Sequence, residues 1–413
     1  MGEAPGVART EIGRGDTATT HSSGSVSAHG AASDVHQHRR VDIQALRGLA
    51  VLLVIAAHAG APGLAGGYIG VDVFFVVSGY VITQALMRTF HEGLFRGLGR
   101  FYRQRIARLL PAATLVLCCT LLASVWVLGP QMDPRLPVDA RWASLFAENF
   151  NLINGRIDYF LPGVDPSPVL HFWSLAVEEQ FYLVYPLMIL IPLALLRPKN
   201  AKPVAVALLL VAVAMSAVWS AVSTNADPTV AYYSPLTRFW ELGLGGLVAL
   251  APVVRLPNVI RTAAQAATVA GIVALAAIFD AQSKVPGIAA WGPCAATAVC
   301  VYVGAEEAHP QRWVPTKPLA AIGDISYSLY LWHFAWLLLP LQMFTSAPPA
   351  SIAAIAVTGT LACAWLSYRY VEEPVRRSPK LRNDSVSAAL MVTCCVLLVW
   401  NASIYAQAAV FSP

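Results

Sequence analysis

Residues 42–58 read DIQALRGLAVLLVIAAH, and residues 66–83 read GGYIGVDVFFVVSGYVIT. Both are long apolar runs with single ionisable residues set into them. A helix rises 1.5 Å per residue, so about 20 such residues cross a hydrocarbon layer roughly 30 Å thick. The short GAPGLA between them, turning near Ala65, makes the pair a helical hairpin through a membrane. Moving outward, apolar runs of similar length recur to the C-terminal end. Spans are expected at 43–61, 68–87, 109–129, 174–196, 204–222, 236–254, 262–280, 289–305, 319–340, 351–368 and 385–405. The fold expected is an all-α polytopic transmembrane helix bundle of 10–11 spans, since a helix satisfies its own backbone polar groups in lipid.

Composition agrees: 57% of the 413 residues are hydrophobic and 12% charged, against about 45–50% and about 25% in soluble domains. The net charge of +5 does not read as nucleic-acid binding, because Lys and Arg sit in short interhelical loops and form no basic stripe. Segments 88–108, 197–203, 255–261, 306–318 and 369–382 hold eighteen of them and the alternate loops four. By the positive-inside rule the rich loops and the N-terminus face the cytoplasm, giving a multi-pass protein of the cytoplasmic membrane. Residues 1–40 are expected as a disordered cytosolic tail, 41–382 as the membrane domain and 383–413 as an additional C-terminal transmembrane helix. The tail histidines His21, His29, His36 and His38 read as solvated rather than metal-binding. All seven cysteines fall in apolar runs, which indicates neither a disulfide framework nor a metal site. The segment 130–173, polar and rich in proline, is the one long loop on the outer face.

Ionisable residues inside spans are functional candidates, because each costs about 2.5–3.5 kcal/mol near the bilayer centre. Arg47 and His58 are eleven residues apart, three turns and about 16 Å along one helix face. His58 and Asp72 are equally far from the hairpin tip, so they are expected at similar depth. Their pairing has two readings: a carboxylate fixing the tautomer of a general base, or a polar lock between two helices. Counting inward from the outer ends, Glu178, Arg238, Glu241 and His333 join the same layer. Ser326, Tyr330 and His333 share a helix face, as do Arg238 and Glu241; the latter two read either as cavity lining or as a self-neutralising pair, and His333 as cavity lining. At the cytosolic side Arg100, Arg103, Arg105 and Arg108 run into the third span. Arg105 and Arg108, at i and i+3, suit bidentate binding of phosphates, or act as ordinary positive-inside anchors.

Taken in order, DIQALRGLAVLLVIAAH at 42–58, GGYIGVDVFFVVSGYVIT at 66–83, FYRQRIARLLPA at 101–112, HFWSLAVEEQFYLVYP at 171–186, ISYSLYLWHF at 325–334 and YRYVEEPVRR at 368–377 resemble the acyltransferase-3 family of integral-membrane O-acyltransferases. The resemblance runs from Asp42 to about Arg377. It implies a cytosolic acyl-coenzyme A donor, most often acetyl-coenzyme A, and an acceptor hydroxyl on a cell-surface polysaccharide, glycolipid or glycosylated natural product. Arg47 and His58 match the family's essential Arg and His, and Arg105 with Arg108 its RxxR motif, with Arg103 beside them as a donor ligand. Trp173 and Glu178 match its WSL-x-x-E motif; Asp72, Ser78, Tyr330 and His333 are further motif members. Many relatives continue into an extracytoplasmic SGNH hydrolase-like domain; the sequence stops after the last span, so the expectation is either a single-domain chain or one that has been cut.

The catalytic residues expected are therefore His58, Asp72, Glu178 and Arg47. Arg105, Arg108 and Arg103 are expected to hold the donor, and Trp173, Ser78, Arg238, Glu241, Tyr330 and His333 to line the substrate path; no metal is expected. His58 either deprotonates the acceptor hydroxyl directly or carries the acyl group itself. The rival classes are an ion-coupled transporter, which also needs intramembrane charges, an acyl-translocating module serving a separate transferase, and a membrane scaffold. The partners expected are the bilayer, acyl-coenzyme A, a carbohydrate or glycolipid acceptor and a second copy of the chain, with no nucleic acid.

Overall fold

The computed structural model describes residues 2, 40–89, 93–160, 166–305, 316–344 and 348–410. The chain separates into Met1–Arg40 and Val41–Pro413. The expected N-terminal tail lies outside the described residues apart from Gly2 and Arg40, as do its histidines.

The second unit is built of helices, with no strand among the described residues. The hairpin read first is α1 (Val41–His58), a 3₁₀ turn (Ala65–Ile69) and α2 (Gly70–Thr89). Then come α3 (Leu94–Leu128), the short α4 (Leu136–Ser144) and α5 (Glu148–Asn154), α6 (Phe172–Leu195), α7 (Pro198–Ala226), the short α8 (Pro228–Tyr233) and α9 (Pro235–Leu250). The chain continues through α10 (Asn258–Ile278), α11 (Trp291–Val303), α12 (Thr316–Asp324), α13 (Ser326–Met343) and α14 (Pro349–Ser367). A π-helical turn at Tyr368–Glu372 leads into α15 (Glu373–Arg376), α16 (Pro379–Asn383) and α17 (Ser385–Val410).

Every one of the eleven expected spans coincides with a helix, and eight helices among the described residues are long and apolar enough to cross a membrane. The other three places hold α9, α11 and the broken α12–α13. The first carries Arg238 and Glu241, the second is 13 residues long, and the third is interrupted at Ile325 and loaded with Ser, Tyr and His. Two of them, α9 and α12–α13, carry polar side chains that face the candidate active site.

Helix α3 is 35 residues long, about 52 Å at 1.5 Å per residue, well beyond the hydrocarbon thickness. The segment 88–108, expected as a loop, is thus helical from Leu94 onward, and Arg100 to Arg108 stand on a rigid rod. Within the long segment 130–173, Leu136–Ser144 and Glu148–Asn154 are likewise helical, as α4 and α5. Arg141 of α4 donates to Ser403 Oγ at 2.7 Å and to Gln407 Oε1 at 2.5 Å, tying that segment to α17.

Close backbone approach fixes the helices that carry the site. A methyl group at Gly79 would overlap the carbonyl of Leu242, and one at Gly245 would overlap that of Val76, so α2 and α9 meet main chain to main chain. Gly48 and Gly323 do the same for α1 and α12. Small residues permit this contact in lipid, where dispersion and not water exclusion drives helix association.

Candidate active site

Two groups of side chains converge inside the bundle. The first surrounds His58, the last residue of α1. Its Nδ1 lies 3.1 Å from His333 Nε2 on α13, and its Nε2 lies 2.6 Å from the hydroxyl of Tyr159, in the connection after α5. His333 Nδ1 is 2.6 Å from the carbonyl oxygen of Tyr330. His171, just before α6, sets Nε2 3.1 Å from the carbonyl oxygen of Leu331. The Tyr330 hydroxyl bonds Ser174 Oγ at 2.6 Å.

Both loop-borne members of this group are electrically quiet. Burial, with His58 close by, pushes the His171 imidazole down to about 3, so it is neutral at physiological pH. Burial also raises the Tyr159 phenol above its ordinary range. The hydroxyl facing His58 therefore keeps its proton until a base in contact removes it. Tyr159 stacks on Tyr232 with ring centroids 4.6 Å apart, and Trp173 closes on Tyr232 at 4.8 Å.

Asp72 does not serve His58. Its Oδ1 accepts from Arg238 Nη1 at 2.8 Å, and the same nitrogen donates to Glu241 Oε1 at 3.0 Å. Arg238 Nε donates to the carbonyl of Tyr232 at 3.2 Å, and its guanidinium lies over the rings of Tyr232 and Trp173 at 4.9 and 5.5 Å. All three charged side chains are at most 4% exposed. A count from the hairpin tip says nothing of rotation about α2, and the Asp72 side chain bonds α9. Arg238, Glu241 and Asp72 thus form one bonded wall behind Tyr232.

The second group gathers the arginines. Arg47 donates to Gln44 Oε1 at 3.2 Å and is within electrostatic reach of Arg108, Glu372, Glu178 and Tyr182. Arg105 lays its guanidinium on the ring of Tyr182, 4.1 Å from the centroid. Glu178 Oε1 accepts from both Ser78 and Tyr182. Glu372, buried in the π-turn, accepts from Ser328 at 3.0 Å and faces Arg108, Arg376 and Arg47. The Nε atoms of Arg105 and Arg108 are buried without a hydrogen-bond partner among the described residues.

Glu178 therefore belongs with the arginines and not in the layer of His58. It lies six residues into α6, about 9 Å below Phe172. Arg103 stands apart from its neighbours, donating to Ser385 Oγ of α17 at 3.0 Å. Tyr330 bridges the two groups, since its hydroxyl bonds Ser174, one turn before Glu178, and it senses the Glu178 charge.

Several members escaped sequence reasoning. His171 and Tyr182 lie within the quoted 171–186 motif and Glu372 within 368–377, so the motifs held the signal while spacing alone did not. Tyr159 sits in a loop without periodicity and gave no signal.

A family model described as an acyltransferase domain matches residues 40–369. The chain belongs to the acyltransferase-3 family. Among the relatives of this family member is "Peptidoglycan O-acetyltransferase OatA" of Listeria monocytogenes, 33% identical over 81% of this chain and 56% of the relative. "O-acetyltransferase OatA" of Staphylococcus aureus is 30% identical over 81% of this chain and 57% of the relative. "Putative membrane-bound transacylase BcsY" of Komagataeibacter xylinus is 32% identical over 87% of this chain and 89% of the relative. The chain spans little more than half the length of the OatA relatives. No solved structure matches it.

Proposed function

We propose that this acyltransferase-3 chain is a membrane O-acyltransferase that takes an acyl group from cytosolic acyl-coenzyme A and delivers it to a hydroxyl of a carbohydrate-containing acceptor. The observation that carries the reading is the 2.6 Å contact between His58 Nε2 and the Tyr159 hydroxyl. A base in contact with a hydroxyl, itself oriented by a third group, is the arrangement of an activated nucleophile. In this reading the Tyr159 hydroxyl receives the acyl group first, as a tyrosyl ester, where the sequence leaves direct transfer to the acceptor or an acyl-His58 open.

In that sequence of steps His58 Nε2 takes the phenolic proton and the phenolate oxygen attacks the thioester carbonyl. The C–S bond breaks, and the departing thiolate takes the proton back from the imidazolium. In the second half the acceptor hydroxyl gives its proton to Nε2 and attacks the ester carbonyl. The Tyr159 oxygen leaves and is reprotonated. Base help of this kind is worth about 10²–10⁴-fold.

The donor's anionic groups suit the arginine end. Two buried guanidinium N–H groups without partners are donors in search of an acceptor, and Arg105 is pre-oriented by the face of Tyr182. Arg47, on the same helix as His58 and about 16 Å before it, is suited to guide the pantetheine arm or polarise the thioester. Acetyl as the transferred group, and a glycan as acceptor, take their support from the printed names of the OatA relatives.

The test is single-turnover acylation with radiolabelled acetyl-coenzyme A and the purified chain in lipid nanodiscs. Label is expected on the peptide containing Tyr159, absent from Tyr159→Phe and His58→Ala. Label that persists in Tyr159→Phe, or solute uptake lost in place of acylation, overturns the reading. Label that loads on Tyr159 and never leaves for an added glycan assigns the chain to acyl delivery for a separate transferase.

A further inference from the structure

We infer that His333 is a positioning residue that fixes the tautomer of His58, with the backbone carbonyl of Tyr330 as the anchor of the whole chain of protons. The inference rests on His58 acting as the base toward Tyr159, as proposed above.

The direction of each hydrogen bond follows from its end point. The Tyr330 carbonyl oxygen has no hydrogen to give, so His333 Nδ1, 2.6 Å away, must be the donor. A neutral imidazole carries one N–H, which leaves His333 Nε2 as a bare lone pair. The 3.1 Å contact from that nitrogen to His58 Nδ1 is then a hydrogen bond only if His58 carries its proton on Nδ1. His58 Nε2 is thereby the basic nitrogen, aimed at the Tyr159 hydroxyl. One carbonyl at the end of the line sets the protonation of two rings and the direction of a third group.

Protonating His333 on both nitrogens would reverse this order. Its Nε2–H would then point at His58 Nδ1, push the His58 proton onto Nε2 and aim an N–H at a hydroxyl that must itself lose a proton. The packing holds the rings against rotation. His171 lies edge-on to His333, with centroids 5.1 Å apart at 71°, and its own Nε2 is committed to the next carbonyl of α13, that of Leu331. Phe334 stands edge-on to His58 at 5.0 Å and 83°. Among the described residues no carboxylate is hydrogen-bonded to His58 or His333. The base is thus oriented by a neutral ring and a peptide dipole, where a charged partner is the more familiar arrangement.

His333→Gln and His333→Asn separate this role from packing, because a Gln side-chain oxygen reaches the Nε2 position and an Asn oxygen only that of Nδ1. The measurement is steady-state turnover of radiolabelled acetyl-coenzyme A by the intact chain in nanodiscs, read as kcat and KM for the donor. His333→Asn is expected to lower kcat about 10²-fold, the scale of lost base help, with donor KM within about 2-fold of wild type. His333→Gln is expected to recover at least about 10-fold of that loss. Equal losses in both variants, or a loss confined to KM, overturn the inference. His58→Ala run in parallel keeps the two ideas apart: if it acylates normally, the proposed function has failed and not merely its tautomer control.

Discussion

Helix α1 begins in one kind of chemistry and ends in another. Around Arg47 the side chains are charged: Arg108, Glu178 and Glu372 are within reach of it, and Arg105 stands beside Arg108. Around His58 they are neutral and hydrogen-bonded in series, from Tyr159 through two imidazoles to a carbonyl. A group built of full charges holds an anion well but moves protons badly, since every proton displaced changes a strong field. A series of neutral donors and acceptors has little grip on an anion but passes a proton at small cost. On the proposed reading the two ends divide donor binding from bond making, and each is expected to break without the other.

His58→Ala should separate them most sharply. Donor turnover is expected to fall by about 10³-fold or more while the donor KM changes little; a KM that rises in step with the loss would merge the two ends into one. Asp72→Asn comes next. Breaking a buried ion pair costs on the order of 3–5 kcal/mol, and the amide retains part of the contact to Arg238. Thermal unfolding in detergent is therefore expected to drop by the lower end of that range, about 3 kcal/mol. The pH dependence of turnover by the folded protein should keep its wild-type shape, and a displaced profile would return Asp72 to the service of His58.

Arg108→Ala probes the charged end. Loss of one charge-assisted contact, about 1.5–3 kcal/mol, raises the donor KM by about 10- to 100-fold and leaves acylation at saturating donor nearly intact. Competition binding with free coenzyme A gives the same number without turnover.

The smallest effect lies outside both ends, in the segment that delivers Tyr159. Glu148 is fully buried beside Asp139, and burial pushes its carboxyl up to about 10 from an ordinary 4.5. The folded chain then holds a proton that the unfolded chain has released between those values, so stability falls as pH rises through that window. The groups facing it are Asp139, Asn151 and Tyr233. Glu148→Gln should flatten that slope and raise the unfolding temperature at pH 8 by about 2–4 °C. An unchanged slope would mean that the carboxyl is ionised in the folded chain.

What was readable beforehand divides along similar lines. Helix periodicity placed Arg105 with Arg108 and Arg47 with His58, because 3.6 residues per turn relates positions within one helix. Counting from the hairpin tip sets His58 and Asp72 equally far along their helices, and relations of that kind along the chain are readable. Rotation between helices is not, and Asp72, level with His58 by count, bonds Arg238. Glu178 departs from its expected layer for a different reason: the helix that carries it starts at Phe172, and six residues carry its side chain to the arginines. Tyr159 follows no period at all. Its position is set by α5, by the stack on Tyr232 and by the imidazole it touches, none of which is local in sequence.

The glycine crossing of α2 and α9 has a mechanical result. Ser78, which bonds Glu178, is the neighbour of Gly79, and Asp72 lies seven residues, about 10 Å, up the same stiff rod. With the backbones in direct contact, neither helix can tilt or slide alone. A wedge as small as one methyl at Gly79 would shift the carboxylate among the arginines and the wall behind Tyr232 in a single movement, so the two groups are geared to each other by a residue that belongs to neither.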